Sequence, residues 1–275
     1  MATRDDFAPN RLVTLTTDFG TRDAYVGAMK GVMLTIAPQL GIHDVAHEID
    51  PQSVEHGATV LRGACPWFPS GTVHVAVIDP GVGTERAPVV IVAGGHAFVG
   101  PDNGLFGPVV ARLGGMHAAW RIERSGPLAH WLPRHRSSTF DGRDLFSPVA
   151  AVLAAGLLAP SAVGRRHALV QLPGTEPVRV PGGIEGQIAY YDHFGNAITN
   201  VPVQALADLG AGERVVRLPG DVRAVLRETY GEGAPGEILA VVGSEGFVEI
   251  AVRDGSARAK LALETGTTIL VEAAG

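Results

Sequence analysis

One strand-like run of this chain ends in an acid, and a guanidinium follows seven residues later. The apolar run Val73–Ile78 leads into Asp79-Pro-Gly-Val-Gly-Thr-Glu-Arg86. A packed core has no use for that pattern. A strand that releases an acid into a glycine-rich loop is how α/β proteins bring polar groups to a crevice. The loop is too short to keep the two charges apart, so Asp79 and Arg86 are expected to meet each other or a ligand.

Other segments carry polar groups in similar places. Thr16-Thr-Asp-Phe-Gly-Thr-Arg-Asp23 closes the first strand. Asp18 stands at the carboxyl edge of the sheet, where an acid accepts bonds from ribose hydroxyls in dinucleotide folds. Asp23 suits the N-cap of the helix that follows. The segment is neither a Walker loop nor a GxGxxG fingerprint, so no phosphate cradle is expected. In Ser138-Thr-Phe-Asp-Gly-Arg-Asp144, Phe140 beside Gly142 offers a stacking surface for a planar ring. Asp144 can cap a helix there, and Arg143 can pair with an acid. Asp192, Phe194 and Asn196 alternate, so an extended segment puts an acid, a ring and an amide on one side. That set could bind an ammonium, stack a base and bond its edge, or it could be a hairpin turn at Gly195–Asn196. Ser244 begins a short turn that could hold a carboxylate or a base. Asp102 and Asn103 read as turn residues. The histidines are scattered, His43, His47 and His56 among them, and no metal site is expected. No GxSxG elbow is present, which argues against a serine hydrolase.

The elements that must position these residues fall into two halves. With 275 residues, 46% hydrophobic and 18% charged, the chain can bury a sizeable core. A net charge of −6 gives no footprint for nucleic acid. Cys65 lies in an apolar run and reads as a buried thiol. No signal segment or membrane-length apolar run is visible, so a soluble cytoplasmic protein is expected. Strand-like and helix-like runs alternate in the first half: strands at 12–16, 41–45, 72–78, 89–93 and 96–99, helices at 24–37, 53–62 and 145–157. This predicts an α/β N-terminal domain with a mostly parallel sheet over residues 11–158. A Pro/Gly-rich linker is expected over 159–182. Short strands at 184–191, 197–200, 214–218, 237–242, 247–252 and 268–271 predict a smaller all-β, barrel-like C-terminal domain over 183–275, with one helical stretch at 203–209.

Taken in order, TTDFGTRDAYVGAMKGV, PQSVEHGA, VIDPGVGTER, GPDNGLF, STFDGRDLFSPVAA, DHFGNAITN and GSEGFVEIAV resemble the S-adenosylmethionine hydroxide adenosyltransferase family, relatives of the fluorinases and chlorinases. The likeness spans roughly residues 11–272. It implies hydrolysis of S-adenosyl-L-methionine to adenosine and L-methionine, by water or hydroxide attacking ribose C5′. Under it S-adenosylmethionine is the substrate and there is no cofactor. It also implies a homotrimer with sites between the N-terminal domain of one subunit and the C-terminal domain of the next. By that resemblance Asp18 binds the ribose hydroxyls, and Asp79 and Arg86 belong to a water-activating triad. Asp192 lies near the methionine ammonium, Phe194 and Asn196 bind adenine, Ser244 touches the methionine carboxylate, and Glu249 and the Val252 backbone make further contacts. Asp23 and Phe140 complete the expected substrate-binding set. Halogenating relatives carry a tyrosine at position 79, and a carboxylate there should repel a halide.

One position departs from the family pattern, which reads Thr-Phe-His-Gly-Arg-Asp where this chain has Asp141. Asp141 could act as the base or water-orienting group beside Arg86. Alternatively the site is slow, or His135 substitutes. Two acids close together predict activity that needs a higher pH than in a histidine-bearing relative. Two other readings stay open: a protein that binds S-adenosylmethionine or adenosine with little or no turnover, and a halide adenosyltransferase.

Overall fold

The structure is a computed structural model that describes residues 7–170, 176–210 and 212–273. The chain divides into two compact units, Met1–Pro173 and Gly174–Gly275. Positions 171–175 of the expected linker lie outside the described residues.

The first unit is built on a seven-stranded sheet. Its strands are β1 (Leu12–Thr17), β2 (Gly41–Ala46), β3 (Val73–Val77), β4 (Pro88–Ala93), β5 (His96–Pro101), β6 (Met116–Ile122) and β7 (Gly164–Arg166), in the order β2-β1-β3-β5-β4-β6-β7. β2, β1, β3 and β5 run parallel. β4 runs antiparallel to both β5 and β6. β6 therefore points the same way as β1 and β3, and their carboxyl ends share one edge of the sheet.

The strands are apolar almost throughout because both faces are covered. Alternation sorts the side chains: Val75 and Val77 join one core, Ala76 and Ile78 the other. Helices α1 (Tyr25–Ile36) and α4 (Ser147–Ala154) pack together, as do α2 (Val54–Ala64) and α3 (Gly107–Arg112). The side chain of Ser53 caps α2 by accepting from the His56 N–H. Cys65 is fully buried, and burial pushes its thiol well above the ordinary range. Three sequence expectations change. Strand β6 and helix α3 occupy a stretch assigned no element. Strand β7 pairs with β6 inside the expected linker. The expected helix at 145–157 is a π-turn over Gly142–Phe146 running into the shorter α4.

Toward the amino ends of β3 and β5 lies a buried polar chain. Thr14 Oγ1 is 2.7 Å from His74 Nδ1, and His74 Nε2 is 3.1 Å from His96 Nδ1. Desolvation, with a contribution from His96, lowers His74 from the ordinary 6.5 to about 3. Burial lowers His56 and His96 as well. The folded state thus binds fewer protons than the unfolded one. The stability is complete above pH 6.5 and drains away as pH falls toward 3. Urea unfolding of the first unit should lose about 2 kcal/mol between pH 7 and pH 5 from His74 alone. An unfolding free energy equal at the two pH values would contradict this.

The second unit is a closed barrel. Its strands are β8 (Val178–Val180), β9 (Gly183–Tyr191), β10 (Ala197–Pro202), β11 (Arg214–Leu218), β12 (Val222–Arg227), β13 (Ile238–Val242), β14 (Phe247–Val252) and β15 (Thr268–Ala273). Seven of them form the ring β10-β14-β13-β12-β11-β15-β9, which the β9–β10 pairing closes, and β8 adds to β9 outside it. Closure leaves no long edge strand. Ile188, Val201, Val216, Ala240, Val248, Ile250 and Val271 fill the interior. Residues 203–209 form a 3₁₀ stretch instead of a full helix, and a short helix α5 (Ala257–Leu261) precedes β15. Strand β12 and α5 were not apparent in the sequence pattern.

Candidate active site

The first unit gathers charge at the shared carboxyl edge of β1, β3 and β6. Asp18 follows β1, Asp79 lies two residues past β3, and Arg86 sits two residues before β4. The β3 exit is pinned by Asn103, whose Nδ2 donates to the Ile78 carbonyl at 2.9 Å. The glycine-rich loop is tied by the Val82 N–H to the Asp79 carbonyl and by the Thr84 hydroxyl to the Gly81 carbonyl. This folding-back brings Arg86 onto Asp79. Arg86 Nε donates to Asp79 Oδ1 and Oδ2 at 3.1 and 2.9 Å, and Nη2 donates to Oδ2 at 2.5 Å.

The same guanidinium reaches Asp141, with Nη2 2.7 Å from Oδ2. Asp141 stands at the start of the π-turn that leads into α4. The side chains of Asp79, Arg86 and Asp141 are only 5, 11 and 14% exposed. Burial alone lowers the Arg86 guanidinium, but the hydrogen bonds and charges of Asp79 and Asp141 outweigh it and push it up. The two acids are therefore bridged by one cation rather than left facing each other.

A cavity of about 240 Å³ opens over this row, lined among others by Asp18, Gln52, Asp79, Phe140 and Asp141. Asp18 Oδ2 accepts from the Gln52 N–H at 2.8 Å, which joins the β1 exit to the loop before α2. Gln52 itself holds a left-handed φ of 65°. Phe140 packs edge-on to Phe19 and Tyr25, with ring centroids 5.8 and 5.3 Å away. Arg143 crosses the Phe140 ring at 5.1 Å and bonds Asp144 at 2.6 Å. Asp144 in turn accepts from the Ser137 N–H at 2.7 Å, so it fixes the loop before Asp141 rather than capping a helix. Asp23 is exposed and outside the cavity lining, and the N-cap of α1 is Ala24, without a side-chain cap. His135 is exposed and does not line the cavity either.

The second unit holds its own cavity, of about 830 Å³, at the β9–β10 and β13–β14 turns. Asp192, Phe194, Asn196, Ser244, Glu249 and Val252 all line it. Asp192 holds the β9–β10 hairpin: Oδ1 accepts from the Asn196 N–H at 2.8 Å and Oδ2 from the Asn196 amide at 3.0 Å. The segment is therefore the hairpin turn and not the extended run that would put alternate residues on one side, and it is through the turn that Asp192, Phe194 and Asn196 come to line one cavity. Gly195 has φ 83°, and a Cβ there would come within 2.1 Å of Ser256 Oγ, so no other residue fits. The turn leaves the Phe194 ring 75% exposed, an open planar surface. Glu249 is buried, and its carboxyl is raised by desolvation and the charge of Asp192, against the hydrogen bond donated by the Tyr230 hydroxyl. Burial pushes Tyr190 up to about 12, with Glu245, Asp192 and Glu249 adding to it.

Tyr230, Gln52 and Arg124, which bonds Asp141, were not singled out as site residues from the sequence. Tyr230 lies inside a Thr229/Glu232 capping box, in a short 3₁₀ turn without a chemical motif. Arg124 had a findable signal, a cation just past a strand end, but only once β6 is recognised as a strand. Among the described residues no group of three or more His, Cys, Asp or Glu side chains gathers to hold a metal ion. Among the same residues no helix is long and apolar enough to cross a membrane.

Residues 13–164 match the family described as the SAM hydroxide adenosyltransferase N-terminal domain, and residues 186–270 match its C-terminal domain. An "(R)-S-adenosyl-L-methionine hydrolase" from Salinispora tropica is 39% identical, over 97% of this chain and 99% of its own. One of the same name from Thermus thermophilus is 38% identical, over 94 and 98%. A "Fluorinase" from Actinoplanes is 27% identical over 95 and 97%. The crystal structure of an uncharacterized conserved protein from Thermotoga maritima superposes with a TM-score of 0.85 at 34% identity, covering 94% of this chain and 99% of that one.

Proposed function

The chain belongs to the S-adenosylmethionine hydroxide adenosyltransferase family, and from that premise we propose that it hydrolyses the (R) epimer of S-adenosyl-L-methionine, with the Asp79–Arg86–Asp141 row delivering water to ribose C5′. The water oxygen bonds to C5′, the C5′–S bond breaks, and its electron pair neutralises the sulfonium. Methionine leaves as a neutral thioether, adenosine forms, and the water proton passes to the carboxylates and then to solvent. The leaving group needs no acid. What remains is alignment behind C5′, which can supply several kcal/mol, and partial removal of the proton, which adds roughly 10²–10⁴-fold.

The observation that carries this reading is the buried Asp79 carboxylate, fixed by Arg86 in the wall of the cavity that Asp18 and Phe140 also line. Asp79 and Asp141 accept hydrogen bonds from the water, and Arg86 steadies negative charge as it develops on oxygen. Asp18 takes the ribose hydroxyls. In the second unit Phe194 stacks on adenine and Asn196 bonds its edge, while Asp192 holds the ammonium and Ser244 the carboxylate of methionine. Glu249 and the Val252 backbone complete that side. These half-sites join between subunits of a homotrimer, which light scattering in solution checks.

Mixed (R) and (S) epimers incubated with the pure protein should show loss of the (R) form, with adenosine and methionine released one to one. Added chloride or fluoride should yield no 5′-halo product, because Asp79 presents a negative charge to the nucleophile's position. Chromatography separates the outcomes. A 5′-haloadenosine peak would install the halide reading, and bound but unconsumed substrate would install the binding-protein reading.

A further inference from the structure

We propose that Arg124 is a positioning residue for the water-activating row, and that it is what makes an aspartate workable where the family pattern has a histidine. This rests on the hydrolase reading given above. Arg124 lies two residues past β6, at the same sheet edge that bears Asp79. In the sheet order β3-β5-β4-β6, Asp79 follows β3, Arg86 precedes β4 and Arg124 follows β6. The charges therefore line up across the edge in strand order, and Asp141 descends between the two arginines.

Each oxygen of Asp141 is held by a different guanidinium. Arg124 Nη2 lies 2.6 Å from Oδ1, and Arg86 Nη2 lies 2.7 Å from Oδ2. The pair is well shielded on the Asp141 side, and the Arg124 side chain is 34% exposed. A carboxylate has about four acceptor positions. Two are used here, so one lone pair on each oxygen stays available while the carboxylate plane is fixed at both ends.

Charge gives the second reason. Asp79, Arg86 and a neutral histidine would sum to zero. Replacing the histidine by Asp141 leaves two anions sharing one cation, a net negative row where hydroxide character must develop. Arg124 returns the row Asp79–Arg86–Asp141–Arg124 to neutrality. A guanidinium is suited to this because it is weakly hydrated and keeps its charge at any working pH.

The test is a cycle of four proteins, wild type, R124Q, D141H and D141H/R124Q, read as kcat and KM for S-adenosylmethionine hydrolysis, with R124K as the conservative variant. R124Q should lower kcat about tenfold or more with KM within about twofold. In the D141H background the same change should cost less than about twofold, because a neutral imidazole needs no second cation. R124K should recover most of the lost kcat. Equal losses in both backgrounds would make Arg124 merely structural and overturn the proposal, as would an R124Q protein with wild-type kcat. Should D141H prove inactive or unfolded, the ratio of R124K to R124Q decides alone, and equal kcat for the two overturns the proposal. Wild-type protein that makes no adenosine sinks the hydrolase reading, and this inference with it. Wild-type turnover matched by R124Q sinks only the inference.

Discussion

Replacing Arg86 by alanine should lower kcat by about 10³-fold, within the range that one positioned base or one preorganised charge supplies, while the affinity for adenosine changes little. Among the described residues Arg86 alone is hydrogen-bonded to both Asp79 and Asp141, through a side chain only 11% exposed. Its loss removes the positive charge nearest the attacking oxygen and leaves two carboxylates without their shared partner. Under the proposed function adenosine is held by other groups, so calorimetric titration should give a Kd within a few-fold of wild type. Asp79→Ala should produce a loss of similar size. The double variant should be little worse than either single one, because residues that act as a unit lose their effect together. Breaking a buried pair also costs about 3–5 kcal/mol in folding, so circular dichroism must first establish that the first unit is folded. A folded Arg86→Ala protein within tenfold of wild-type kcat would end the water-activation account.

The groups in this row were legible to different degrees. Asp79 and Arg86 were readable because a strand end, a short glycine-rich loop and two opposite charges lie within eight residues of each other. Local geometry forces such a pair together. Asp192 and Asn196 were readable for the same reason, since one hairpin holds both. Arg124 was not, because its partner is 17 residues away and the meeting depends on β6 lying two places from β5 in the sheet. Strand β6 itself, Met-His-Ala-Ala-Trp-Arg-Ile, mixes small and charged residues and carries no clear period. Its place comes from pairing with β4, which no local pattern encodes. Asp23 shows the opposite failure: a good capping residue by type, one position too early for the helix that forms. The barrel was foreseeable from turn spacing, but its closure through β9 and β10 is a property of the whole ring.

Position 141, where the family resemblance leads one to expect a histidine, shows how a residue's type sets what the neighbouring groups must do. A histidine in that place brings its own proton acceptor and no charge. An aspartate brings an acceptor and a charge, and the fold answers with cations on both sides, Arg86 from the β4 entry and Arg124 from the β6 exit. One guanidinium nitrogen, Arg86 Nη2, bonds both Asp79 and Asp141. Under the proposed function, two fixed carboxylates then orient the water, where the family resemblance implies one carboxylate and one imidazole.

Asp18→Asn should raise KM about 10–100-fold and leave kcat within a few-fold, the converse of the Arg86 result. The residue follows β1 and lines the same cavity as Asp79 and Asp141, but bonds neither of them. Its Oδ2 is engaged by the Gln52 N–H, and among the described residues Oδ1 accepts nothing. An asparagine can still present its carbonyl oxygen to Gln52, so the strained loop at Gln52 keeps its anchor. The amide then places a donor where a ribose hydroxyl needs an acceptor. One charged hydrogen bond is worth about 1.5–3 kcal/mol, which sets the size of the effect. Binding of 2′,3′-dideoxyadenosine isolates the contact. Wild type should prefer adenosine over the dideoxy analogue by a margin that the Asn variant largely loses. If both proteins discriminate equally, Asp18 does not bind the ribose hydroxyls, and its bond to Gln52 is a purely structural link between the β1 exit and α2.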